Sequence, residues 1–338
     1  MRDAVRTLHP GYFALVMATG IVSIGMWYQG AHALSVALLW IGVLSYAVLL
    51  VATVARVVAF RREFVADLTD PRRAFATFTF VAATDVLGTR LAVDRHYLYA
   101  GILLTVGWVA WLILGYVVPW TALFGRAVRP VLTAANGSWF TWVVASQSVA
   151  VLAAALQPEF GRRELAVLAV FSWSVGVFLY GAVGVLVALR LMLYPVKAED
   201  LTPPYWVAMG ATAITVVAGA SIVEMADAPM VAATRGLIGG TSVLFWAFGT
   251  WLVIPLLATG VWRHVVHRIP LRYEPTLWSM VFPLGMYGVG SIFLGHADGL
   301  PIVAGVGAVE IWIALAVWAL VFAAMLAQLA SGVRRRHG

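Results

Sequence analysis

The sequence predicts an all-α polytopic membrane protein: ten transmembrane helices in five hairpins around a central pore, odd helices inside and even helices outside. Three observations lead to this prediction. First, the 338 residues are 62% hydrophobic and 11% charged, with a mean hydropathy of +0.93, whereas soluble domains carry about 25% charged residues. Second, apolar segments of roughly 20 residues, the length that crosses a bilayer, recur from end to end. Third, the basic residues lie mainly between these segments.

The apolar segments give the boundaries of the predicted spans. Windows of about 19 residues place them near residues 11–29, 33–58, 74–93, 97–120, 138–156, 165–193, 205–225, 229–262, 276–295 and 301–331, numbered here as spans 1 to 10. Span 8 is long enough to contain a break. No segment between spans is long enough to bury a core of its own, so we expect one integral membrane domain over residues 1–338, with short ends at about 1–9 and 332–338.

The basic residues test the number of spans. With both termini inside, 17 of the 22 Lys and Arg residues fall in inside segments. The other five are Arg90, Arg95, Arg162, Arg163 and Arg235, which we interpret as solvated loop residues, with attraction of anions to the mouth as the alternative. This excess on one side is the positive-inside pattern. It predicts a multi-pass plasma-membrane protein with both termini cytoplasmic, and because the net charge of +7 is spread between spans, we expect no nucleic-acid partner.

A short pattern repeats at the start of each odd span. HPGYF, PRRAF, NGSWF, PPYW and EPTLW each combine a polar residue or proline with an aromatic residue. The aromatic residues Phe13, Phe75, Trp139, Trp206 and Trp278 are 62, 64, 67 and 72 residues apart. Prolines start helices, and aromatic residues collect at membrane interfaces in any case. A period shared by five pairs of spans nevertheless favours five repeated hairpins.

Small and hydroxylated residues form stripes on the odd spans, whereas the even spans are mainly bulky and aliphatic. Such stripes either let two helices pack closely or line a wet cavity. Because they recur on alternate spans, we predict an inner ring of five helices, backed by five outer helices that face lipid. A neutral path of this kind passes anions without binding them tightly. The residues predicted to line it are Thr19, Ser23, Thr77, Thr84, Asp85, Thr141, Gln147, Ser148, Thr212, Thr215, Ser279 and Met286.

Span 9 contains the stretch WSMVFPLGMYGVGS, in which a proline and three glycines interrupt apolar residues. Pro283 is predicted to break the helix, and Gly285 and Gly288 to admit close neighbours. Phe282 shares a helical face with Ser279 and Met286. It is either core packing or a hydrophobic constriction, which blocks flow by dewetting and steric exclusion.

Two carboxylates lie on inner spans. Asp85 lies within span 3, where a carboxylate faces a cavity or a partner. Ionised, it would repel anions; protonated, it would donate to them or couple proton movement to transport. The structural alternative is a hydrogen bond to a neighbouring inner helix, to Gln147 or a threonine. Glu224, near the outer end of span 7, is interpreted as interfacial.

Three segments carry a resemblance to a known family. HPGYFALVMATGIVSIG at 9–25, TFTFVAATDVLGTRL at 77–91 and WSMVFPLGMYGVGS at 278–291 resemble the tellurite-resistance/dicarboxylate transporter family, within the voltage-dependent anion channel superfamily. Its members include yeast malate and sulfite transporters and plant slow-type anion channels. The resemblance implies five hairpins around a pore, a homotrimer, and a pore-plugging phenylalanine on span 9, for which Phe282 is the match. The FPLG form is similar to the malate and sulfite branch, whereas Asp85 and Glu224 depart from a neutral pore.

The resemblance implies transport of small anions across the lipid bilayer, the candidates being C4-dicarboxylates, sulfite, chloride and nitrate. One alternative is a proton-coupled C4-dicarboxylate or sulfite carrier that uses Asp85. A more remote alternative is a membrane-embedded enzyme or receptor. The sequence has no HExxH, GxSxG or P-loop motif and no cysteine. We therefore predict no enzymatic activity, no cofactor and no metal site.

Overall fold

The computed structural model describes residues 2–125, 129–226 and 228–337. Arg126 and the outermost residues of the two predicted cytoplasmic ends, 1 and 338, lie outside these ranges. The structure is 86% helix, with no strand in the described part of the chain. The prediction of an all-α protein is confirmed.

The described chain folds into long helices joined by short turns. The α-helices are Arg2–Arg6, Ala14–Tyr28, His32–Ala59, Arg61–Thr69, Thr79–Val93, Tyr97–Phe124, Phe140–Phe160, Arg163–Leu193, Val207–Val223, Pro229–Val261, Trp278–Ala297 and Pro301–His337. Short 3-10 turns are Pro10–Phe13, Ala74–Phe78, Val131–Ala134, Gly137–Trp139, Pro203–Trp206 and Pro275–Leu277, and Trp262–Val266 is a π-helical turn.

Ten helical segments of the described chain are long and apolar enough to cross a membrane, which confirms the ten predicted spans. Span 8 shows no break: its α-helix Pro229–Val261 continues directly into the π-helical turn. The ten spans are Pro10–Tyr28, His32–Ala59, Ala74–Val93, Tyr97–Thr121, Gly137–Phe160, Arg163–Leu193, Pro203–Val223, Pro229–Val266, Pro275–Ala297 and Pro301–Ser331.

Every odd span begins with a 3-10 turn, and the repeated sequence pattern lies there. In span 1 the turn follows His9, whose Nδ1 accepts a hydrogen bond from the Gly11 amide at 3.0 Å. In span 5 the Asn136 side chain accepts from the Ser138 amide at 2.8 Å. These acceptors satisfy amide groups that have no partner at a helix start. The aromatic residues of the pattern are all buried, so they anchor these turns in the protein interior: Phe13, Phe75, Trp139, Trp206 and Trp278.

The odd and even spans differ sharply in burial. In the most apolar window of each span, 67% to 89% of the residues are buried in odd spans and 11% to 33% in even spans. Trp40 and Phe178, on even spans, are examples of large apolar side chains left exposed. Since lipid solvates apolar side chains, the even spans present a surface suited to a bilayer.

The contacts between spans follow a cyclic order. Each odd span contacts the next odd span, from 1 through 3, 5, 7 and 9, and span 9 contacts span 1. Each even span packs against the odd span that precedes it in the sequence. The buried helices therefore surround a common axis, along which the cavities described below lie.

The structure contradicts one interpretation of the basic residues. Arg90 is fully buried instead of solvated. Its Nε donates to Ser23 Oγ at 2.9 Å, its Nη1 lies 2.8 Å from Asp94 Oδ1, and its guanidinium lies 4.9 Å from the ring centre of Trp27. Arg90 lies in the last turn of the span 3 helix. From there it reaches inward to Ser23 of span 1 and Ser35 of span 2, which a count of charges in the sequence does not reveal.

Candidate functional site

Three cavities lie along the axis of the odd spans. The inner cavity, at the N-terminal ends of these spans, has a volume of about 380 Å³. The outer cavity, at their C-terminal ends, has a volume of about 370 Å³. A central cavity of about 20 Å³ shares Ile24, Thr89, Val151 and Phe293 with the outer cavity. All five odd spans contribute residues to each cavity.

The inner cavity is the most polar of the three. Its hydroxyl-bearing residues include Thr79, Ser138, Thr141 and Ser279, and Ser138 Oγ is buried without a hydrogen-bond partner. Its charged lining residues are Arg72, Arg190, Glu199, Asp200 and Glu274. Arg190 lies 3.8 Å from Asp200, so part of this charge is paired within the lining.

His9 adds a neutral imidazole to the inner cavity. Burial, followed by the positive charge of Arg73, lowers the pKa of His9 from 6.5 to about 4. The negative charge of Asp67 opposes this shift, and Arg56 contributes to it. A neutral ring also agrees with its contact, because Nδ1 must carry a lone pair to accept from the Gly11 amide.

The central cavity is apolar apart from two hydroxyls, those of Thr89 and Ser148. Its other lining residues are Ile21, Ile24, Val86, Val151, Ile214, Val217, Met286, Val289 and Phe293. The outer cavity adds Tyr28, Tyr97 and Ser221, and its only charged lining residue among the described ones is Glu224. Glu224 thus lies beside the outer cavity, at the C-terminal end of span 7.

A closed segment separates the inner from the central cavity. On span 9 the lining residues on either side of it are Ser279 and Met286. Equivalent pairs on three other spans are Thr79 and Val86, Thr141 and Ser148, and Val207 and Ile214. In each pair the two residues are seven positions apart in the sequence, which is about two helical turns, or roughly 10 Å.

Phe282 lies within this closed segment and is fully buried. The direction of the Phe282 side chain follows from the residues that the other faces of span 9 contact. Pro283 lies against Gly210 of span 7, Gly285 against Ile21 of span 1, and Gly288 against Ile311 of span 10. The face that remains points to the axis, and it contains Ser279, Phe282, Met286, Val289 and Phe293.

The predicted helix break at Pro283 is wrong. The α-helix runs without interruption from Trp278 to Ala297. Pro283 lies near its start, so the proline deprives only one carbonyl, that of Ser279, of a backbone partner. Its ring fits against span 7 because the facing residue, Gly210, has no side chain.

Some of the predicted path residues line the cavities. Thr141 and Ser279 line the inner cavity, and Ser148 and Met286 line the central cavity. Phe282 lies between the two groups on span 9.

Other predicted path residues contact neighbouring helices instead. Thr19 accepts from Trp318 Nε1 of span 10 at 2.9 Å, and Ser23 donates to the Ser35 carbonyl of span 2 at 2.7 Å. Gln147 donates to the Trp173 carbonyl of span 6 at 3.2 Å. The remaining residues of this group are Thr77, beside a lateral apolar cavity; Thr84, bonded to Tyr46; Thr212, against Gly249 of span 8; and Thr215, whose carbonyl accepts from Trp173. The side chains of Thr19, Ser23, Thr84 and Gln147 thus join neighbouring helices, the alternative interpretation of the stripes. The hydroxyls of the other three residues donate to carbonyls of their own spans.

Asp85 also lies off the axis. Its side chain is fully buried and accepts a hydrogen bond from Ser148 Oγ at 2.8 Å. The partner lies on a neighbouring inner helix, as the structural alternative predicted, but it is Ser148 and not Gln147 or a threonine. Asp85 is therefore one side chain away from the central cavity.

Five hydrogen bonds from aromatic side chains connect each even span to the next odd span. None of these bonds was predicted from the sequence, although the 15 tryptophans of the chain were a signal. The pairs are Tyr46 with Thr84, Trp111 with Ser146, Trp173 with Thr215, Trp246 with Ser291 and Trp318 with Thr19. The last pair joins span 10 to span 1 and completes the cyclic order.

Comparison with known proteins identifies the family. The sequence profile of the family described as voltage-dependent anion channel matches residues 7–326, nearly the whole chain. The chain belongs to the voltage-dependent anion channel family. It is a multi-pass membrane protein of a transporter and channel family, as the resemblance predicted.

Two proteins of other organisms are similar to the chain, one over nearly its whole length and one over about half of it. The chain is 24% identical over 327 residues to the uncharacterized transporter MJ0576 of Methanocaldococcus jannaschii, covering 94% of this chain and 92% of that protein. It is 66% identical over 158 residues to the uncharacterized membrane protein Rv1735c of Mycobacterium tuberculosis strain H37Rv, covering 47% of this chain and 80% of that protein.

Proposed function

We propose that the protein transports small anions passively along the axis of the odd spans, and that Phe282 blocks the path in this conformation. The observation that carries the proposal is the position of Phe282. It is fully buried between the inner and central cavities, on the face of span 9 that points to the axis.

The lining supports conduction of anions without tight binding. The central cavity has no charged lining residue among the described ones, and its only polar side chains are two hydroxyls. An ion that enters such a cavity meets weak partners, which lets it leave again. At the inner end, five helix N-termini point toward one cavity, and the partial positive charge of a helix N-terminus favours anions.

The proposal is tested by anion flux into proteoliposomes. Phe282→Ala is expected to raise flux about tenfold or more, because it removes the ring that blocks the proposed path. A tenfold increase corresponds to an energy barrier that is lower by only ~1.4 kcal/mol. The matched control is Phe78→Ala, since Phe78 is equally buried but its ring stacks on Trp142 of span 5. A panel of malate, sulfite, chloride and nitrate identifies the anion. Equal flux for wild type and Phe282→Ala, with both proteins folded, contradicts the role of Phe282.

We infer the membrane arrangement from the charge pattern and the exposed spans. The whole chain forms one domain of the plasma membrane with both termini in the cytoplasm, and the protein is a homotrimer whose even spans contact lipid and neighbouring copies. Mass measurement in native detergent tests the trimer. Accessibility of single cysteines introduced at Arg6 and Arg162 tests the orientation, since the parent chain has no cysteine.

A second candidate function is a proton-coupled C4-dicarboxylate or sulfite carrier. It is favoured by the hydrogen bond between Asp85 and Ser148, which connects a buried carboxylate to the lining of the central cavity. Proton uptake that accompanies anion uptake against a pH gradient would distinguish this carrier from the passive path.

A further inference from the structure

The two hydroxyl groups of the central cavity differ in the hydrogen-bond acceptors within their reach. Thr89 Oγ1 donates to the Asp85 carbonyl of its own helix at 2.9 Å. Ser148 Oγ lies 2.8 Å from Asp85 Oδ2 and 2.9 Å from the Ala145 carbonyl, and both are acceptors. A hydroxyl has one hydrogen and two lone pairs. The direction of the Ser148 hydrogen therefore depends on whether the Asp85 carboxyl accepts or donates a hydrogen bond.

The fold holds the Asp85 carboxyl in one place. Its Oδ1 lies against Gly107 of span 4, where a Cβ would overlap the oxygen, so only glycine admits the side chain at this position. Oδ1 is buried without a hydrogen-bond partner. Ser148 is thus the only side chain in the described structure that hydrogen-bonds to the Asp85 carboxyl.

We propose that Ser148 is the hydrogen-bond donor that an anion meets in the central cavity, and that the protonation of Asp85 determines whether this donor is available. The inference rests on the proposed transport path. Ser148 contacts the anion, and Asp85 acts through Ser148 as a positioning residue.

Ionised Asp85 closes the path to anions in two ways. The Ser148 hydrogen points to Oδ2, so the oxygen lone pairs of Ser148 face the cavity and repel an anion. The negative charge itself, one side chain from the cavity, adds to this repulsion because a low-dielectric surrounding screens it weakly.

Protonated Asp85 reverses both effects. A proton taken up from water in the outer cavity passes to Ser148 Oγ, while the original Ser148 hydrogen moves to Oδ2. Asp85 then donates to Ser148 Oγ, and the remaining Ser148 hydrogen turns either to the Ala145 carbonyl or to a solute in the cavity. An anion is the stronger acceptor of the two, because hydrogen bonds to charged groups are roughly twice as strong as neutral ones.

Few other ionisable groups face Asp85. On span 2, the Tyr46 hydroxyl is held 2.9 Å from Thr84 Oγ1, one residue from Asp85. The helix of span 1 that packs on this region has no ionisable group before Tyr28, span 4 has only tyrosines, and span 5 has none before Glu159. On span 3 itself, Arg90 is bonded to Ser23 and paired with Asp94.

The test is chloride flux as a function of pH in the Phe282→Ala background. Chloride keeps its charge at every pH used, and the open background removes the block. With Asp85 present, flux is expected to rise about tenfold as the pH falls through the titration of Asp85. Asp85→Asn, whose amide donates to Ser148 as the neutral acid does, is expected to give high flux with no pH dependence. Ser148→Ala is expected to give low flux at every pH, and Ser148→Thr to restore the rise.

The control is Thr84→Val, which changes the neighbouring residue on the face turned toward span 2 and is expected to leave the profile unaltered. An infrared band of a protonated carboxyl, lost in Asp85→Asn and shifted in Ser148→Ala, reports the same pair without any flux measurement. A pH profile unaltered by Asp85→Asn and Ser148→Ala overturns this inference but leaves the path intact. Absence of anion flux in Phe282→Ala at every pH overturns the path itself.

Discussion

The two faces of the odd spans have opposite characters. The face toward the axis is mostly apolar between the inner and outer cavities, with Ile21, Val86, Ile214 and Met286 around the central cavity. The face toward the outer spans contains hydroxyls, among them Thr19, which accepts a hydrogen bond there. In lipid a polar side chain needs a protein partner, and neighbouring helices supply it. The polar stripes therefore hold the helices together, and the apolar stripe faces the proposed path.

The largest expected effect is at Arg90, which contacts polar partners away from the axial cavities. Arg90→Met removes the ion pair with Asp94 and the hydrogen bond to Ser23. Breaking a buried pair from one side costs about 3–5 kcal/mol. The expected result is a large drop in the melting temperature in detergent, while flux per folded protein stays the same.

Adding Asp94→Asn to Arg90→Met separates the cost of the unpaired Asp94 carboxylate from the cost of the lost Arg90 contacts. It removes the unpaired carboxylate, so part of the stability should return. An Arg90→Met protein as stable as wild type contradicts a structural role for the buried guanidinium.

The next effect tests the axial face. Val86→Thr keeps the shape of a side chain that lines the central cavity and adds a hydroxyl to it. A hydrophobic constriction conducts better once it is wetted. Chloride flux in the Phe282→Ala background should rise about two- to fivefold, which corresponds to less than ~1 kcal/mol of barrier.

Thr84→Val is the matched exchange two residues earlier, on the face where Thr84 bonds to Tyr46. It should leave flux unchanged and lower stability slightly. If Thr84→Val changes flux as much as Val86→Thr does, the distinction between the faces is wrong.

A smaller effect is expected from a single hydrogen bond between an even and an odd span. A double-mutant cycle with Thr19→Val and Trp318→Phe measures the 2.9 Å bond that joins span 10 to span 1. Such bonds in membrane proteins average about 0.6 kcal/mol. The unfolding free energy in detergent should show a coupling of this size, whereas Thr19 paired with the distant Trp246 should show none.

Much of the fold was predictable from the sequence, because membrane thickness fixes the length and hydropathy of each span. The repeated aromatic residues were also predictable as a pattern, and each one lies in a 3-10 turn or next to one. The orientation of the hydroxyl stripes was not predictable, since Thr19 suits both a wet cavity and a helix contact. Arg90 was misassigned for a related reason: a long side chain at a helix end points either into water or inward, and only its partners decide.

The smallest effect concerns His9, at the entrance to the inner cavity. Its folded pKa of about 4 lies below the ordinary value of 6.5, so the unfolded chain binds a proton first as the pH falls. The contribution of neutral His9 to stability is therefore complete above about 6.5 and is lost progressively toward pH 4. His9→Asn keeps an acceptor for the Gly11 amide but does not titrate. The melting temperatures of wild type and variant should diverge as the pH falls from 7 to 4.5, because only the wild type must protonate this residue on unfolding. A constant difference over that range would mean that His9 is already solvated, and the inner cavity would then be as open to water at the imidazole as it is at Arg72.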